Sequence, residues 1–290
     1  MPSIEFQRPK TVEEAVSLLA NCEDSRCIAG GQTLVAMINA GLVAPKFLIS
    51  IEEISELRSI ENKDDSIRIG AAVTHREVAS YVGLLGSNQI IREAAAVIAH
   101  PAIRNFGTMG GALAHGDPAS DYPTAAVAAD GTVEIAGAEV RRTVAASDFF
   151  LDYLTTALEP GEIVTALILP RASAGSVGHY LKFSRVDGDY AIVSIGVTLT
   201  LSNGVCTQAR LAAGGLGSRP LWCAEADAAL CDTRCDDPAI SRAARHLLDI
   251  ADPVDDVRAA ADYRRALLPK LLRRAVRNIV SRQDAERADG

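Results

Sequence analysis

The sequence predicts an α+β protein, with two mixed N-terminal subdomains followed by an antiparallel sheet carrying helices. Three observations support this. Helical and strand periodicities alternate through residues 1–175. From Tyr180 to Ala213 three strand-like runs follow one another, and Asn203-Gly204 joins the last two with a strong hairpin signal. From Cys223 onward the pattern is mostly helical. Composition shifts near residues 55 and 175 divide the chain into segments 1–55, 56–175 and 176–290, with Ala172 to Gly178 as the linker.

The elements follow in order. Thr11-Val12-Glu13-Glu14 is a capping box, and Val12, Ala15, Val16, Leu18 and Leu19 recur at helical spacing. Arg26 to Ala29 reads as a short strand, Leu34 to Ala40 as a helix stopped at Gly41, and Phe47 to Ile51 as a strand. In the second segment Ile67 to Ile69 is a strand. Thr74-His75-Arg76-Glu77 is another capping box, opening a helix towards Tyr81. Asn88 to Ala99 is an amphipathic helix closed by Pro101. Asp121-Tyr122-Pro123 reads as an N-cap with an early proline, ahead of an alanine-rich helix. Thr132–Ile135 and Glu139–Thr143 pair as a hairpin, and Ile163 to Leu169 is a strand stopped by Pro170. In the third segment Tyr180–Arg185, Ala191–Leu201 and Val205–Ala213 form the meander.

Composition excludes several classes. The net charge of −8 argues against a nucleic-acid binder. Arg264, Arg265, Lys270, Arg273, Arg274, Arg277 and Arg282 nevertheless crowd the C-terminal segment, as a solvated helix face or a docking face for an acidic partner. No apolar run approaches the ~20 residues needed to cross a bilayer. Met1 to Phe6 lacks a signal-peptide pattern, so a cytoplasmic protein without an integral membrane segment is expected. The six cysteines lack C-x-x-C spacing, and the pairs Cys22/Cys27 and Cys231/Cys235 read as free thiols, with no metal site.

Two double-glycine stretches stand apart: Ala29-Gly30-Gly31-Gln32-Thr33 and Thr108-Met109-Gly110-Gly111-Ala112. A glycine pair allows close backbone approach and positive φ, and successive N–H groups in such a turn form an anion-binding concavity. Two such turns could hold the two phosphates of a dinucleotide. Neither is a G-x-G-x-x-G or P-loop fingerprint, so the mode is not the Rossmann one.

The second stretch lies in a dense context, from Ile103-Arg104-Asn105-Phe106-Gly107 through His115-Gly116-Asp117-Pro118 to Ser120-Asp121-Tyr122-Pro123. Taken in order with Ala29 to Leu34, Tyr180 to Arg185, Asp189-Tyr190-Ala191 and Gly214 to Pro220, it spans nearly the whole chain. The chain resembles the FAD-binding medium subunit of the molybdenum hydroxylases, the group of carbon monoxide dehydrogenase, xanthine dehydrogenase and the aromatic N-heterocycle dehydrogenases. The resemblance implies a two-subdomain FAD-binding fold of the PCMH type. It also implies non-covalent FAD, an electron-transfer role, and a large molybdenum–pterin (molybdopterin) subunit and a small [2Fe–2S] subunit as partners in a dimer of heterotrimers.

Residue by residue, it assigns backbone donors to the pyrophosphate from Ala29, Gly30, Gly31, Gln32, Thr33 and Leu34, and from Thr108, Gly110, Gly111 and Ala112. Gly111 is expected to need positive φ. Thr33 and Thr108 can add hydroxyls, and His115 lies in the same loop. Asp121 is assigned to sugar or ribityl hydroxyls, and Ile163 to Ile168 to the adenine, with Leu167 and Ile168 foremost. Lys182 is placed near the isoalloxazine edge and Tyr190 against its face. No residue of this chain is expected to be catalytic. The rival reading is a self-sufficient FAD oxidase with covalently attached flavin. No His or Cys follows Gly31 as an obvious attachment point, and no Cys between Cys27 and Cys206 could serve an inserted iron–sulfur loop.

Overall fold

The computed structural model describes residues 4–288, so the first three positions of the Met1-to-Phe6 segment lie outside it. The first unit contains β1 (Glu5–Gln7), α1 (Val12–Asn21), β2 (Ser25–Ile28), α2 (Leu34–Asn39) and β3 (Phe47–Ser50). Its strands form a parallel sheet in the order β1-β3-β2. Helix α1 starts where the Thr11 hydroxyl accepts the Glu14 N–H at 3.1 Å, and it buries Val12, Ala15 and Val16. The Glu14 carboxylate accepts the Lys10 N–H at 2.7 Å instead of closing the box on Thr11.

The second unit begins with β4 (Ile60–Asn62), β5 (Ser66–Gly70), α3 (His75–Ser80), α4 (Gln89–Val97), α5 (Pro101–Arg104), α6 (Met109–His115) and α7 (Asp121–Ala128). It continues with β6 (Thr132–Ala136), β7 (Arg141–Ala145), α8 (Ala146–Phe149), β8 (Phe150–Asp152), β9 (Thr155–Thr156) and β10 (Ile163–Pro170). An antiparallel sheet runs β4-β5-β10-β6-β7, with β8 and β9 as a separate small hairpin. At α3 the capping box closes in both directions between Thr74 and Glu77.

The third unit is the antiparallel sheet of β11 (Ser176–Phe183), β12 (Val193–Ser202) and β13 (Val205–Gly214). After it come α9 (Ala224–Ala228), α10 (Asp237–Asp249) and α11 (Ala261–Ala288). Helix α7 joins the second unit to the third. All eight of its residues are buried, and it packs on α4 as well as on β12 and β13. Its alanines allow that close approach. Helices α10 and α11 close a second apolar cluster around Ile195, Leu211, Leu268 and Leu272.

Three local expectations shift. The linker is shorter, because Ser176 to Gly178 already pair with Thr200 to Thr198 as part of β11. The hairpin's second strand begins at Arg141, since Gly137 donates to the Val140 carbonyl and the turn absorbs Glu139. The second glycine pair is no turn: Gly110 and Gly111 sit in the first turn of α6, capped by Thr108.

Candidate functional site

A cavity of about 1020 Å³ opens where the three units meet. Its wall combines Gly30 to Leu34 with Gly107, Thr108, Gly110 to Ala112 and His115. Leu154 to Thr156, Ile163, Val164 and the Gly188–Tyr190 loop complete it.

The two glycine segments lean on each other. A Cβ on Gly30 would lie 1.7 Å from the Phe106 carbonyl oxygen, so only glycine fits there. Gly31 has φ +67, the left-handed region. Among the described residues, the N–H groups of Gly30, Gly31, Gln32, Thr33 and Leu34 have no protein acceptor. Gln32 Nε2 donates to the Gly30 carbonyl at 2.9 Å, which stiffens the turn. Five successive N–H groups without protein acceptors thus face the same wall.

The second segment is built differently. The Met109 and Gly110 N–H groups donate to Val73 and Ala71 carbonyls at 2.9 and 2.8 Å, and Ala112 donates to Thr108 O at 3.1 Å. The Gly111 N–H is held by Thr108 Oγ1 at 3.2 Å. A Cβ on Gly110 would meet Ala71 Cβ at 2.4 Å, so this glycine serves packing of α6 on the strand end. Gly111 lies outside the positive-φ residues, against the expectation from sequence, because it occupies an ordinary helical turn.

Asp121 is the first residue of α7, with Ser120 at the cap position, so the N-cap expectation is corrected. The residue belongs to the cavity wall, and its carboxylate accepts from Tyr180 OH at 2.9 Å and from Lys182 Nζ at 3.1 Å. Burial raises the Asp121 pKa against the opposing pull of Lys182. The Lys182 side chain is 6% exposed, also donates to Val97 O at 2.8 Å, and lies outside the cavity wall. Lys182 thus forms an internal ion pair with Asp121, a residue of the wall. Leu167 and Ile168 also lie outside the wall, where Ile163 and Val164 stand. Only the start of β10 reaches the cavity, and four residues at ~3.3 Å each carry Leu167 well away.

Tyr190 lines the opening, with the Arg258 guanidinium 5.0 Å from its ring centre. Sequence reasoning missed His75, which lies in the wall edge-on to Tyr122, with ring centres 5.3 Å apart. Burial, helped by Arg104, lowers the His75 pKa to about 4, so it is neutral near pH 7. The capping box hid this residue. Nothing in the sequence marked the β8–β9 hairpin as cavity wall.

Residues 2–172 match the family described as the FAD binding domain in molybdopterin dehydrogenase. The chain belongs to this family. Residues 178–279 match the CO dehydrogenase flavoprotein C-terminal domain. The chain is 36% identical over 281 residues to the carbon monoxide dehydrogenase medium chain of Afipia carboxidovorans, covering 97% of this chain and 98% of that one. It is 33% identical over 283 residues to the 6-hydroxypseudooxynicotine dehydrogenase complex subunit alpha of Paenarthrobacter nicotinovorans, covering 97% and 96%. A chain of the cyanide-inactivated Cu,Mo-CO dehydrogenase superposes with TM-score 0.94 at 36% identity, covering 97% of this chain and 99% of that chain. This molybdopterin-dehydrogenase family member is accordingly an FAD-binding electron-transfer flavoprotein, an oxidoreductase subunit. Its relatives are medium subunits of multi-subunit complexes. Among the described residues no helix is long and apolar enough to cross a membrane.

Proposed function

We propose that the FAD pyrophosphate binds in the Gly30–Leu34 nest, with Thr108 and the start of α6 closing the opposite side. The observation that carries this reading is the row of unpartnered N–H groups on the cavity wall, in a segment where a Cβ cannot fit. These donors are half-buried or exposed to the cavity, and an anion seated there accepts several of them at once. Ile163 and Val164 supply apolar contacts, and Tyr190 stands at the opening for the isoalloxazine face. Asp121, a wall residue, holds Tyr180 through Oδ1 and Lys182 through Oδ2. His115 and Ala112 complete the side formed by α6.

Bound FAD supplies one- and two-electron redox chemistry. The chain binds and orients it, and no side chain here acts on a substrate. Electrons arrive from [2Fe–2S] clusters on a small subunit, after substrate oxidation at a molybdopterin site on a large subunit, and leave to a terminal acceptor. The relatives' standing as medium subunits supports this division. The assembly we propose is a dimer of heterotrimers. No sheet crosses between segments 1–55, 56–175 and 176–290, which supports the three-part division. Six free thiols support a reducing cytoplasm.

The test is the chromophore of the natively purified chain after acid denaturation. Free FAD in the supernatant is expected. Flavin retained in the precipitate would reject non-covalent binding, and Cys27, whose thiol burial pushes up to about 12, would then need a new explanation. A folded protein that neither contains nor takes up FAD would reject the assignment of the nest.

A further inference from the structure

We infer that an apolar face beside the opening of the flavin cavity, rimmed by aspartates, is where the terminal electron acceptor docks, and that this acceptor is a one-electron carrier protein with a basic contact surface. The inference rests on the reading that places the isoalloxazine at Tyr190. Two segments distant in sequence build the face. The end of β11 and the loop after it contribute Phe183, Val186 and Tyr190, and the α10–α11 connection with the start of α11 contributes Val254, Val257 and Tyr263. All are exposed, Val257 to 89%. The Phe183 and Tyr263 rings meet edge-on with centres 6.3 Å apart, and the Arg258 guanidinium lies 5.0 Å from the Tyr190 ring centre. These contacts join the segments into one surface. Gly188, Asp189 and Tyr190 belong to the cavity wall, so the surface runs into the opening.

The loop that carries Val254 and Val257 is braced from within. The Asp256 carboxylate accepts the N–H groups of Arg258 and Ala259 at 2.8 and 3.0 Å, and Arg264 Nη2 at 2.7 Å. Arg264 is buried and also donates to the Ile192 and Gly215 carbonyls at 2.6 and 3.1 Å, which ties this loop to the strand after Tyr190. Asp255 accepts the Ala261 N–H at 2.7 Å, and Arg265 donates to Ala251 O and Leu248 O. A braced loop that holds valines out in water is a preformed contact surface, because little further ordering is needed when a partner arrives.

Charge selects the partner. Asp187, Asp252, Asp255 and Asp262 are exposed around the apolar residues. The cations within residues 183–190 and 252–263 are Arg185 and Arg258, and Arg258 is taken up by Asp256 at 3.6 Å and by the Tyr190 ring. The rim is therefore acidic and complements lysines and arginines. A small apolar centre within a charged rim is the anatomy of a transient redox encounter, steered by charge, whereas permanent subunit interfaces are larger and more apolar. Electron transfer weakens steeply with distance, so a carrier seated at the opening is well placed.

The FAD-loaded protein, with any subunits that co-purify, is reduced anaerobically with stoichiometric dithionite. It is mixed in stopped flow with ferricytochrome c, a basic one-electron carrier, at stepped ionic strength. Each cytochrome takes one electron, so two oxidise one fully reduced FAD, whose two protons pass to water. The second-order rate constant is expected to fall as salt rises, and Asp187→Lys/Asp262→Lys should lower it about tenfold at low salt. Both aspartates are exposed, and their carboxylates make no hydrogen bond among the described residues, so the variant folds. Oxidation by benzoquinone, a small neutral acceptor, should be unchanged. Normal FAD content with a cytochrome rate that ignores salt, or that is equal in the double variant, would overturn this proposal alone. An equal fall in the benzoquinone rate would also overturn it, because the substitutions would then act on the flavin and not on docking. A folded chain without FAD would overturn the flavin reading together with it.

Discussion

Replacing Gly30 by alanine separates the nest from a general need for glycine. The added Cβ would sit 1.7 Å from Phe106 O, 2.3 Å from Phe106 C and 2.9 Å from Gly107 N. All three are backbone atoms, so no rotamer change relieves them. To reach even a 3.0 Å approach the two segments must part by about 1.3 Å. Overpacking of this kind costs ~1–3 kcal/mol, and immovable backbone puts this site at the upper end. That is below the ~5–15 kcal/mol stability of a typical domain, so the variant folds. The same displacement pulls Phe106 and Gly107 away from the nest, and ~3 kcal/mol taken from binding weakens FAD affinity about 100-fold. Gly111→Ala is the control. Its Cβ would meet only Thr108 Oγ1, at 3.0 Å, and alanine in a helix gains ~0.5–1 kcal/mol over glycine. The assay is flavin-to-protein ratio on purification and FAD titration of the apo-protein by flavin fluorescence. Unchanged affinity in Gly30→Ala, or an equal loss in Gly111→Ala, would refute the reasoning. Because Gly111 is helical, any loss of FAD in Gly111→Val would come from side-chain bulk and not from φ.

Other outcomes follow from the same geometry. Lys182→Met leaves Asp121 buried without its cation and should cost ~3–5 kcal/mol in denaturant unfolding, with Asp121→Asn in the same chain recovering much of it. A large fall in flavin potential without loss of stability would restore Lys182 to the flavin edge. Burial raises the Glu93 pKa, but hydrogen bonds from His179, Tyr180 N–H and Gln89 outweigh it and lower it from 4.5 to about 2. Its stabilisation is present above pH 4.5 and disappears as pH falls towards 2. Glu93→Gln should flatten that acid limb in thermal melts from pH 2 to 5, and an unchanged limb would assign acid unfolding elsewhere. Thr108→Val removes the α6 cap and should lower stability by about 1 kcal/mol, read in urea.

The elements written in local chemistry were legible. The Thr74–Glu77 box, the Asn203-Gly204 hairpin and the nest glycines each have a short-range cause visible in the sequence. What escaped was tertiary. Glycine marks both a positive φ at Gly31 and a packing contact at Gly110, and only Ala71, from a distant strand end, tells them apart. Asp121 and Lys182 read separately as ligand contacts because sequence does not show that α7 and β11 face each other. Likewise, β10 is recognisable as a strand, but which residues of Ile163 to Ile168 reach the cavity depends on sheet position, so the sequence alone puts Leu167 and Ile168 ahead of Ile163 and Val164.

The cavity wall draws on all three units, and only one face of it comes from the parallel sheet. A ligand seated there touches all three units at once, and so it enters the folding equilibrium itself. At a free concentration a thousandfold above Kd, it adds about 4 kcal/mol to the native state. Cofactor supply during synthesis then works as quality control. Chains that meet flavin early are held shut, while those that do not keep a seam open between their halves and stay exposed to proteolysis.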